Sequence, residues 1–569
     1  IALFEANTSP QERDADFQRL LVSTSHFKKL ELPKKQAVGR GCTAAKLDAP
    51  SSLHRGIIRN LSTGSWLLAT GTVVALQGNN DPHGLLEDFL QGYLDQGVKV
   101  LDRYDGHFAL VIYNGRDGSL SILSDPMGLF AIYYARRGGQ VLISTSALAV
   151  ARAVNPKVDT MTLDCFLRTG RSYGGKTLWQ DVKRVLPATL IQISPDQFEE
   201  REYWTPSVDE HIAHLKLNPA LDLANDKISR IFKLALAREG KVWADLTGGY
   251  DTRVIAMYLD KLGIPFSTYC VGPQGHPDVE ISKLVSREMG WEYFPYLLPD
   301  EWGDEQFQWF DAALGRGDGL LNIFHLTGVL KLAKERSAHS FATVPGTGVD
   351  EWRYHIFGAN TLIASTLSRV NYDTILDAKI MENIPVSVMH QDRTIEARQA
   401  LTDHLRRSTA LYSNSPAITQ LDIAFLRYRH PIHSGAYLSG QSGTMRSVIP
   451  FCFKELVNFC FSMNHQWRIR YHSLFVSSLM EKENSRLAHI GTEKGGPFIP
   501  IRLTNLHKFI PLTIYLADHM LVKLSSKYLG KHISLRKLHH YPNYPKPEWK
   551  VAWLRCVVAE GLLKPEKML

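Results

Sequence analysis

A chain of 569 residues is too long for one small module; at roughly 150 residues per domain it makes about three or four units, or two if these are large α/β domains. Apolar residues at 44% and charged residues at 21% are ordinary globular values and exclude a disordered, collagenous or coiled-coil chain. The net charge, 65 basic against 57 acidic residues or +8, comes from interspersed signs and is weak support for a polyanionic partner. In chain order, Gly56 to about Thr205 reads as short alternating apolar runs split by turn residues: Trp66 to Gln77, Phe108 to Tyr113, Ser119 to Ser124, Ala131 to Tyr134, Val141 to Ser144 and Thr189 to Ile193. Helical periods at His83 to Gln96 and Thr160 to Thr169 interrupt them, which predicts packed antiparallel sheets with helices outside.

Pro206 to Leu217 is polar and aperiodic and marks the predicted boundary between residues 1–206 and 207–569. After an amphipathic helix at Pro219 to Arg238 come strand and helix in alternation: Lys241 to Leu246, Asp251 to Leu262, Phe266 to Val271, Asp278 to Met289, Glu292 to Leu298, and later Phe341 to Val344. That alternation predicts an α/β unit with a doubly wound parallel sheet, followed from Gln391 by a mainly helical part. Lys523 to Lys550 is the densest basic stretch and reads as a solvated tail or surface helix.

Six cysteines, Cys42, Cys165, Cys270, Cys452, Cys460 and Cys556, lie far apart without CxxC pairs, so free thiols in a reducing, cytoplasmic compartment are expected. No apolar run reaches the roughly 18 to 20 residues of a membrane span. Neither a membrane nor a nucleic-acid partner is expected; a homodimer is compatible.

The sharpest local signal is Asp245-Leu246-Thr247-Gly248-Gly249-Tyr250-Asp251-Thr252-Arg253, where the first parallel strand turns into a helix. Two glycines let backbone N–H groups approach an anion, the helix N-terminus adds positive potential, and Thr247 and Thr252 offer hydroxyls to phosphate oxygens. Asp251 would repel bare phosphate, so its place in such a loop implies a bridging magnesium ion. Val344-Pro345-Gly346-Thr347-Gly348-Val349-Asp350-Glu351 repeats the theme after another apolar strand, and the two loops could hold one nucleotide between them with Asp251 and Asp350 sharing its metal. No lysine follows the glycines at the GxxxxGK[ST] spacing, which argues against a Walker-type γ-phosphate transferase.

Thr247 to Thr252 resembles the SGGxDS loop of ATP pyrophosphatases (PP-loop proteins), and Gly346 to Glu351 resembles the GxGxDE segment of asparagine synthetases and their relatives. Further pieces follow in the same order from about residue 60 to 505: Asp105-Gly106-His107-Phe108-Ala109, Ser124-Asp125-Pro126-Met127-Gly128, Tyr133-Tyr134, Ser144 to Ala147, Tyr203-Trp204, Arg446 to Cys452, and Lys494-Gly495-Gly496-Pro497-Phe498. The resemblance implies an N-terminal, class II glutaminase-like sandwich of the Ntn type and a C-terminal synthetase that adenylates a small-molecule or peptide carboxylate with Mg-ATP before an amine attacks. It further implies Leu246, Val271 and Gly346 on the adenosine side of ATP, with Thr247, Gly248, Gly249 and Thr252 on pyrophosphate. Asp251 and Asp350 match the Mg²⁺-binding acids, and Lys494 matches the lysine that stabilises charge on the reacting phosphorus; with it, Asp251 and Asp350 complete the catalytic set.

The departures shape the expected function. A glutaminase of this class uses an N-terminal cysteine, whereas this chain opens Ile1-Ala2-Leu3, so no glutamine hydrolysis is expected unless a segment upstream of Ile1 supplies that residue. Thr347 stands where asparagine synthetases carry Glu and β-lactam synthetases Tyr, which points away from asparagine synthesis and toward an amide ligase of the specialised-metabolite kind. Asparagine synthesis from free ammonia, a tRNA-modifying PP-loop enzyme and a non-catalytic ATP-binding scaffold are the alternatives. By residue type His276, Glu280, His325, Glu351 and Glu382 are candidate bases, and Gly315 to Phe324 with Phe425 to Arg446 is the region expected to set substrate specificity.

Overall fold

The computed structural model describes residues 2–5, 10–33, 35–77, 81–298, 305–353, 370–376, 391–469, 473–529, 557–558, 561 and 563. Its first part is built on β1 (Ala2–Glu5), β2 (Gln36–Gly39), β3 (Cys42–Ala45), β4 (Ile58–Asn60), β5 (Ser65–Ala75), β6 (Tyr104–Asn114), β7 (Ser119–Ser124), β8 (Tyr133–Arg137), β9 (Gln140–Ser144), β10 (Val182–Arg184), β11 (Thr189–Ile193) and β12 (Phe198–Glu202). These form two six-stranded sheets, ordered β10-β8-β9-β1-β3-β2 and β12-β11-β7-β6-β5-β4, with antiparallel pairing between neighbours. The two-residue period of β6 explains the layering. Ala109, Val111 and Tyr113 enter the core between the sheets, facing Tyr134 and Ile143 of the other sheet and Ile132 just before β8. Phe108, Leu110 and Ile112 point the opposite way, onto Leu85, Phe89 and Leu90 of α2 (Pro82–Gln96). The other sheet is covered by α1 (Pro10–Lys28), α3 (Ala147–Val154) and α4 (Thr160–Thr169), which gives four layers.

The second part carries a five-stranded parallel sheet, β15-β14-β13-β16-β17, from β13 (Val242–Asp245), β14 (Phe266–Gly272), β15 (Tyr293–Leu297), β16 (Ala342–Val344) and β17 (Arg446–Ser447). Val242 and Ala244 face a large core with helices α5 (Leu217–Leu236) and α6 (Asp251–Lys261). Trp243, between them, faces Tyr269, Met445 and Ala333 of α8 (Ile323–Arg336). Both faces are therefore covered, and α7 (Pro277–Met289) links β14 to β15. The expected mixed α/β class and the parallel sheet are present.

Three readings need correction. The β-rich region begins before Gly56, because β1, β2 and β3 belong to the first sheet and α1 lies over it. The strand expected at Ala131 to Tyr134 runs Tyr133–Arg137, because its outer end is polar and exposed. The stretch expected to be a linker is pinned: Ser207 N–H donates to Asn458 Oδ1 at 3.0 Å and Asp209 N–H to Ser462 Oγ at 2.7 Å. The two parts also share a core, in which Phe17, Leu148 and Phe166 pack with Leu314, Phe324 and Leu326. Cys42, Cys165, Cys270, Cys452 and Cys460 are free and buried; Cys556 and most of Lys523 to Lys550 lie outside the described residues. Among the described residues no helix is long and apolar enough to cross a membrane.

Candidate functional site

Parallel pairing brings the C-terminal ends of β13, β14 and β16 to one edge of the sheet. Leu246 donates its amide to Tyr269 O at 2.8 Å, and the chain then turns through Thr247–Tyr250 into α6. Two glycines are set by close approach. A Cβ on Gly248 would lie 2.7 Å from Glu493 Cβ, and one on Gly346 would lie 3.1 Å from Thr252 N, so the loops after β13 and β16 touch backbone to backbone.

The turn is held by its hydroxyls. Thr252 Oγ1 accepts from Thr247 N–H at 3.0 Å, the two hydroxyl oxygens lie 3.3 Å apart, and Gly249 N–H donates to Thr247 Oγ1 at 3.2 Å. Gly248 N–H donates to Asp278 Oδ1 at 2.8 Å, so a carboxylate already sits on an amide of the glycine loop. Arg253, fully buried, ties this turn to a distant segment by donating to Gly248 O at 3.2 Å, Ile490 O at 2.9 Å and Gly491 O at 2.8 Å. Burial lowers its pKa to about 10, with Glu493 opposing. Glu493 N–H also donates to Gly248 O, at 3.2 Å, which lays the Lys494 loop on the glycine turn.

Tyr250 stacks on Phe498 at 3.7 Å, while Lys494 Nζ lies 5.9 Å and the Arg353 guanidinium 4.9 Å from the Tyr250 ring centroid. Arg353 donates to Asp251 Oδ2 at 2.6 Å. Asp251 Oδ1 is buried without a hydrogen-bond partner. Burial raises the Asp251 pKa, the Arg353 charge opposes that, and Asp350 reinforces it. Burial, then Glu351, also pushes Asp350 up; its Oδ1 accepts a long bond from Gly348 N–H at 3.3 Å. Next to it, burial works to raise Glu351, but the His430 ring bonded to its Oε1 holds the carboxyl low. Arg468 donates to Glu351 O at 2.9 Å and pairs with Asp422 at 2.8 Å.

The structure thus gathers Thr247, Gly248, Gly249, Asp251, Thr252, Gly346, Asp350 and Lys494 at one sheet edge. Leu246 is there too, but its side chain is in the core and its carbonyl accepts from Ser282 Oγ at 2.8 Å, so it has nothing polar to offer. Val271 lies in β14 beside the Trp243–Tyr269 cluster. Among the named base candidates, His276 caps α7, Glu280 is exposed, Glu351 pairs with His430, His325 lies against Tyr437, and Glu382 is outside the described residues. Sequence reading missed Arg353, His430 and Asp278. Only Arg353 carried a signal, as a cation three residues after Asp350.

An orphaned carboxylate oxygen, a second buried acid and two threonine hydroxyls are hard oxygen donors of the kind magnesium takes, so the residues fit that ion. Among the described residues no three His, Cys, Asp or Glu side chains form a cage of their own.

Residues 76–204 match the family model of a glutamine amidotransferase domain. Over 200 residues the chain is 24% identical to asparagine synthetase (glutamine-hydrolyzing) 3 of Bacillus subtilis (strain 168), covering 32% of this chain and 31% of that protein. Over 320 residues it is 22% identical to a protein of Mycobacterium tuberculosis (strain ATCC 25618 / H37Rv) provisionally named asparagine synthetase (glutamine-hydrolyzing), covering 53% and 46%. The chain spans less than half the length of these curated relatives. A solved glutamine phosphoribosylpyrophosphate amidotransferase from B. subtilis, complexed with ADP and GMP, covers 54% of this chain and 69% of its own at 13% identity, with a TM-score of 0.24, too slight a likeness to describe the fold. The domain match and these relatives make the chain similar, at low identity, to asparagine synthetases.

Proposed function

We propose that the chain is an ATP-dependent carbon–nitrogen ligase that activates a carboxylate as its acyl-adenylate and passes the acyl group to an amine. The observation that carries this reading is the docking of the Glu493–Lys494 loop on Gly248, which brings a half-exposed ammonium to the Tyr250 ring that the Asp251-bound Arg353 also approaches.

In this reading a carboxylate oxygen of the substrate attacks the α-phosphorus of ATP, the bond to the bridging oxygen of the β-phosphate breaks, and pyrophosphate leaves. The amine then attacks the acyl carbon, AMP leaves with the C–O electron pair, and one proton is lost from nitrogen. Thr247, Gly249 and Thr252 orient the departing pyrophosphate, after rearranging the bonds they make to one another. Lys494 neutralises charge gathering on the phosphate oxygens. Asp251 and Asp350 would hold magnesium, which when bound screens the phosphate charges from these acids. The Arg353 charge opposes the rise that burial imposes on the Asp251 pKa. The acid is a small molecule or peptide, specialised-metabolite synthesis is the proposed setting, and Thr347 counts against asparagine synthesis.

The test is pyrophosphate and AMP release from Mg-ATP with a panel of carboxylic acids, with and without amines, and with glutamine tried separately as nitrogen donor. Release that depends on one acid supports the ligase. Absence of both release and ATP binding overturns it.

A further inference from the structure

One cation at the site enters the activation chemistry only through its bond to Asp251. Arg353 ends a single 3₁₀ turn, Glu351–Arg353, whose middle residue is anchored in the core. Trp352 is 1% exposed, stacks on Phe459 with ring centroids 5.3 Å apart and meets Phe451 edge-on at 5.4 Å. With Arg353 N–H also donating to Asp350 O at 3.2 Å, the backbone of Arg353 is fixed just beyond the two acids of the second loop. From there the side chain crosses to the glycine turn, where the guanidinium donates to Asp251 Oδ2 at 2.6 Å and lies 4.9 Å from the centre of the Tyr250 ring. The crossing is short because the two loops touch: a Cβ on Gly346 would lie 3.3 Å from Asp251 C.

Two other buried arginines show what a pair that holds the fold looks like in this chain. Arg446 puts Nη2 on both oxygens of Glu239 at 2.6 Å and Nε on Oε1 at 3.1 Å, and Arg468 takes both oxygens of Asp422, at 2.8 and 3.1 Å. Arg353 and Asp251 share a single bond. Although the Arg353 side chain is only 7% exposed, among the described residues its Nε–H has no acceptor and the buried Asp251 Oδ1 has no donor. A desolvated fork that leaves a donor idle is unfavourable unless another anion takes it. Charge points the same way. A polyphosphate entering the turn meets Asp251 and Asp350, whose charges one divalent ion offsets, and Arg253 is committed to three carbonyl oxygens, so Lys494 would face the polyphosphate alone. Lys494 is a point charge on a half-exposed side chain, whereas a guanidinium fork matches a pair of phosphate oxygens.

We infer that Arg353 is a binding residue for the pyrophosphate end of ATP: its fork turns from Asp251 Oδ2 to oxygens of the β- and γ-phosphates, and both oxygens of Asp251 are then left for a metal ion. The inference rests on the ligase reading for the nucleotide and adds to it a second phosphate cation, carried by the loop after β16 and separate from Lys494. The two cations divide the triphosphate. Lys494 serves the phosphorus at which the bond breaks, and Arg353 holds the part that leaves. Trp352 makes this possible, because a backbone fixed in the core lets the guanidinium move while the loop stays in place.

The test uses the full chain and calorimetric binding of ATP, inorganic pyrophosphate and AMP at one fixed concentration of free magnesium. R353Q is expected to weaken ATP and pyrophosphate by about tenfold or more, the worth of a hydrogen bond to a charged group, and to leave AMP within about twofold, because AMP lacks the phosphates that Arg353 reaches. R353K should fall between R353Q and the wild type, because charge returns without the planar fork. An unchanged melting temperature, together with unchanged AMP binding, separates a lost contact from a lost fold. Equal losses for AMP and pyrophosphate, a fall in melting temperature with pyrophosphate binding intact, or an R353K protein indistinguishable from R353Q overturns the inference and makes the pair with Asp251 a structural one. Acid-dependent pyrophosphate release by an R353Q enzyme with wild-type affinity for ATP also overturns it while leaving the ligase standing. Arg353-dependent binding of ATP and pyrophosphate, without release by any acid, supports the inference and counts against the ligase. A wild type that binds neither ATP nor pyrophosphate overturns both.

Discussion

Two sets of buried acids distinguish the halves of this molecule. In the first half, Asp125 accepts from Met127 N–H and Leu129 N–H at 3.0 Å and from Phe130 N–H at 2.8 Å, and Asp105 accepts from Gly106 N–H at 2.8 Å and Lys454 N–H at 2.7 Å. At the sheet edge of the second half, Asp251 leaves one buried oxygen without a donor, and so does Glu351. All belong to short motifs that look alike on paper, glycines next to acids. What separates them is saturation: a carboxylate whose oxygens are filled by backbone N–H groups holds a turn, whereas one with an oxygen to spare is ready for an outside partner.

The largest effect to expect falls on chemistry. Lys494→Ala should reduce acid-dependent pyrophosphate release on the order of 10²–10³-fold, the loss seen when one fixed group stabilising transition-state charge is removed. Its melting temperature should hardly move, because Lys494 is half-exposed and only loosely paired with Glu493 at 3.7 Å. An active Lys494→Ala enzyme would remove the contrast between the two sets by showing that the open site is not where the reaction occurs.

The converse substitution falls on stability. Asp125→Ala strands three buried N–H groups in one turn, and at about 1–3 kcal/mol for each unsatisfied group the loss should be roughly 3 kcal/mol or more in urea unfolding. ATP binding by the folded fraction should persist. Loss of binding without loss of stability would place Asp125 in the wrong set.

How much of this was legible follows the same division. The strands β6 and β13 could be read because alternation is local: every second residue of Tyr104–Asn114 enters a different core, and Trp243 faces away from Val242 and Ala244. The glycine–acid loops could be read because close backbone approach demands glycine at Gly248 and Gly346. The first sheet's β1–β3 were missed because strands of four residues offer too few positions to show a period. Arg353, His430 and Asp278 were missed for a different reason. Each acquires its role from what the fold puts opposite it, and no spacing along the chain connects Arg353 with Asp251, Asp278 with Gly248, or His430 with Glu351.

A smaller effect sharpens the comparison through pH. Burial raises Asp105 to about 6 against an ordinary 3.8, with Lys454 and the backbone bonds opposing, so the folded state binds this proton more tightly than the unfolded chain does. The stability it contributes is fully present below about pH 4 and is lost as pH rises through about 6, a span of order 2–3 kcal/mol. Asp125, pushed up to about 7, acts in the same direction over a slightly higher range. Urea midpoints of the wild type should therefore fall between pH 4 and 7 more steeply than those of Asp105→Asn, which keeps the shape of the protonated acid and cannot titrate. Parallel curves for the two proteins would show that Asp105 is ionised throughout, as saturation by two backbone donors alone would favour.

The smallest effect tests how the open site keeps its cations in place. Tyr250 is stacked on Phe498 and has Arg353 and Lys494 near its ring, so it adds an aromatic link between the glycine turn and the Lys494 loop to the backbone bond from Glu493 N–H to Gly248 O. Tyr250→Leu retains most of the buried apolar volume but removes the π-face, worth about 0.5–1 kcal/mol for an exposed cation and about 1 kcal/mol for the aromatic pair. The backbone bonds from Glu493 and Arg253 to Gly248 O remain, so the loop should stay docked while the Lys494 ammonium loses its resting place. Pyrophosphate release should then fall only severalfold, chiefly in kcat, with ATP affinity nearly unchanged. Phe498→Leu should give a weaker form of the same change, because it loosens the Tyr250 ring without removing it. A larger loss in ATP affinity than in kcat would mean that the ring meets the nucleotide itself, and the platform would then belong to binding rather than to holding the lysine.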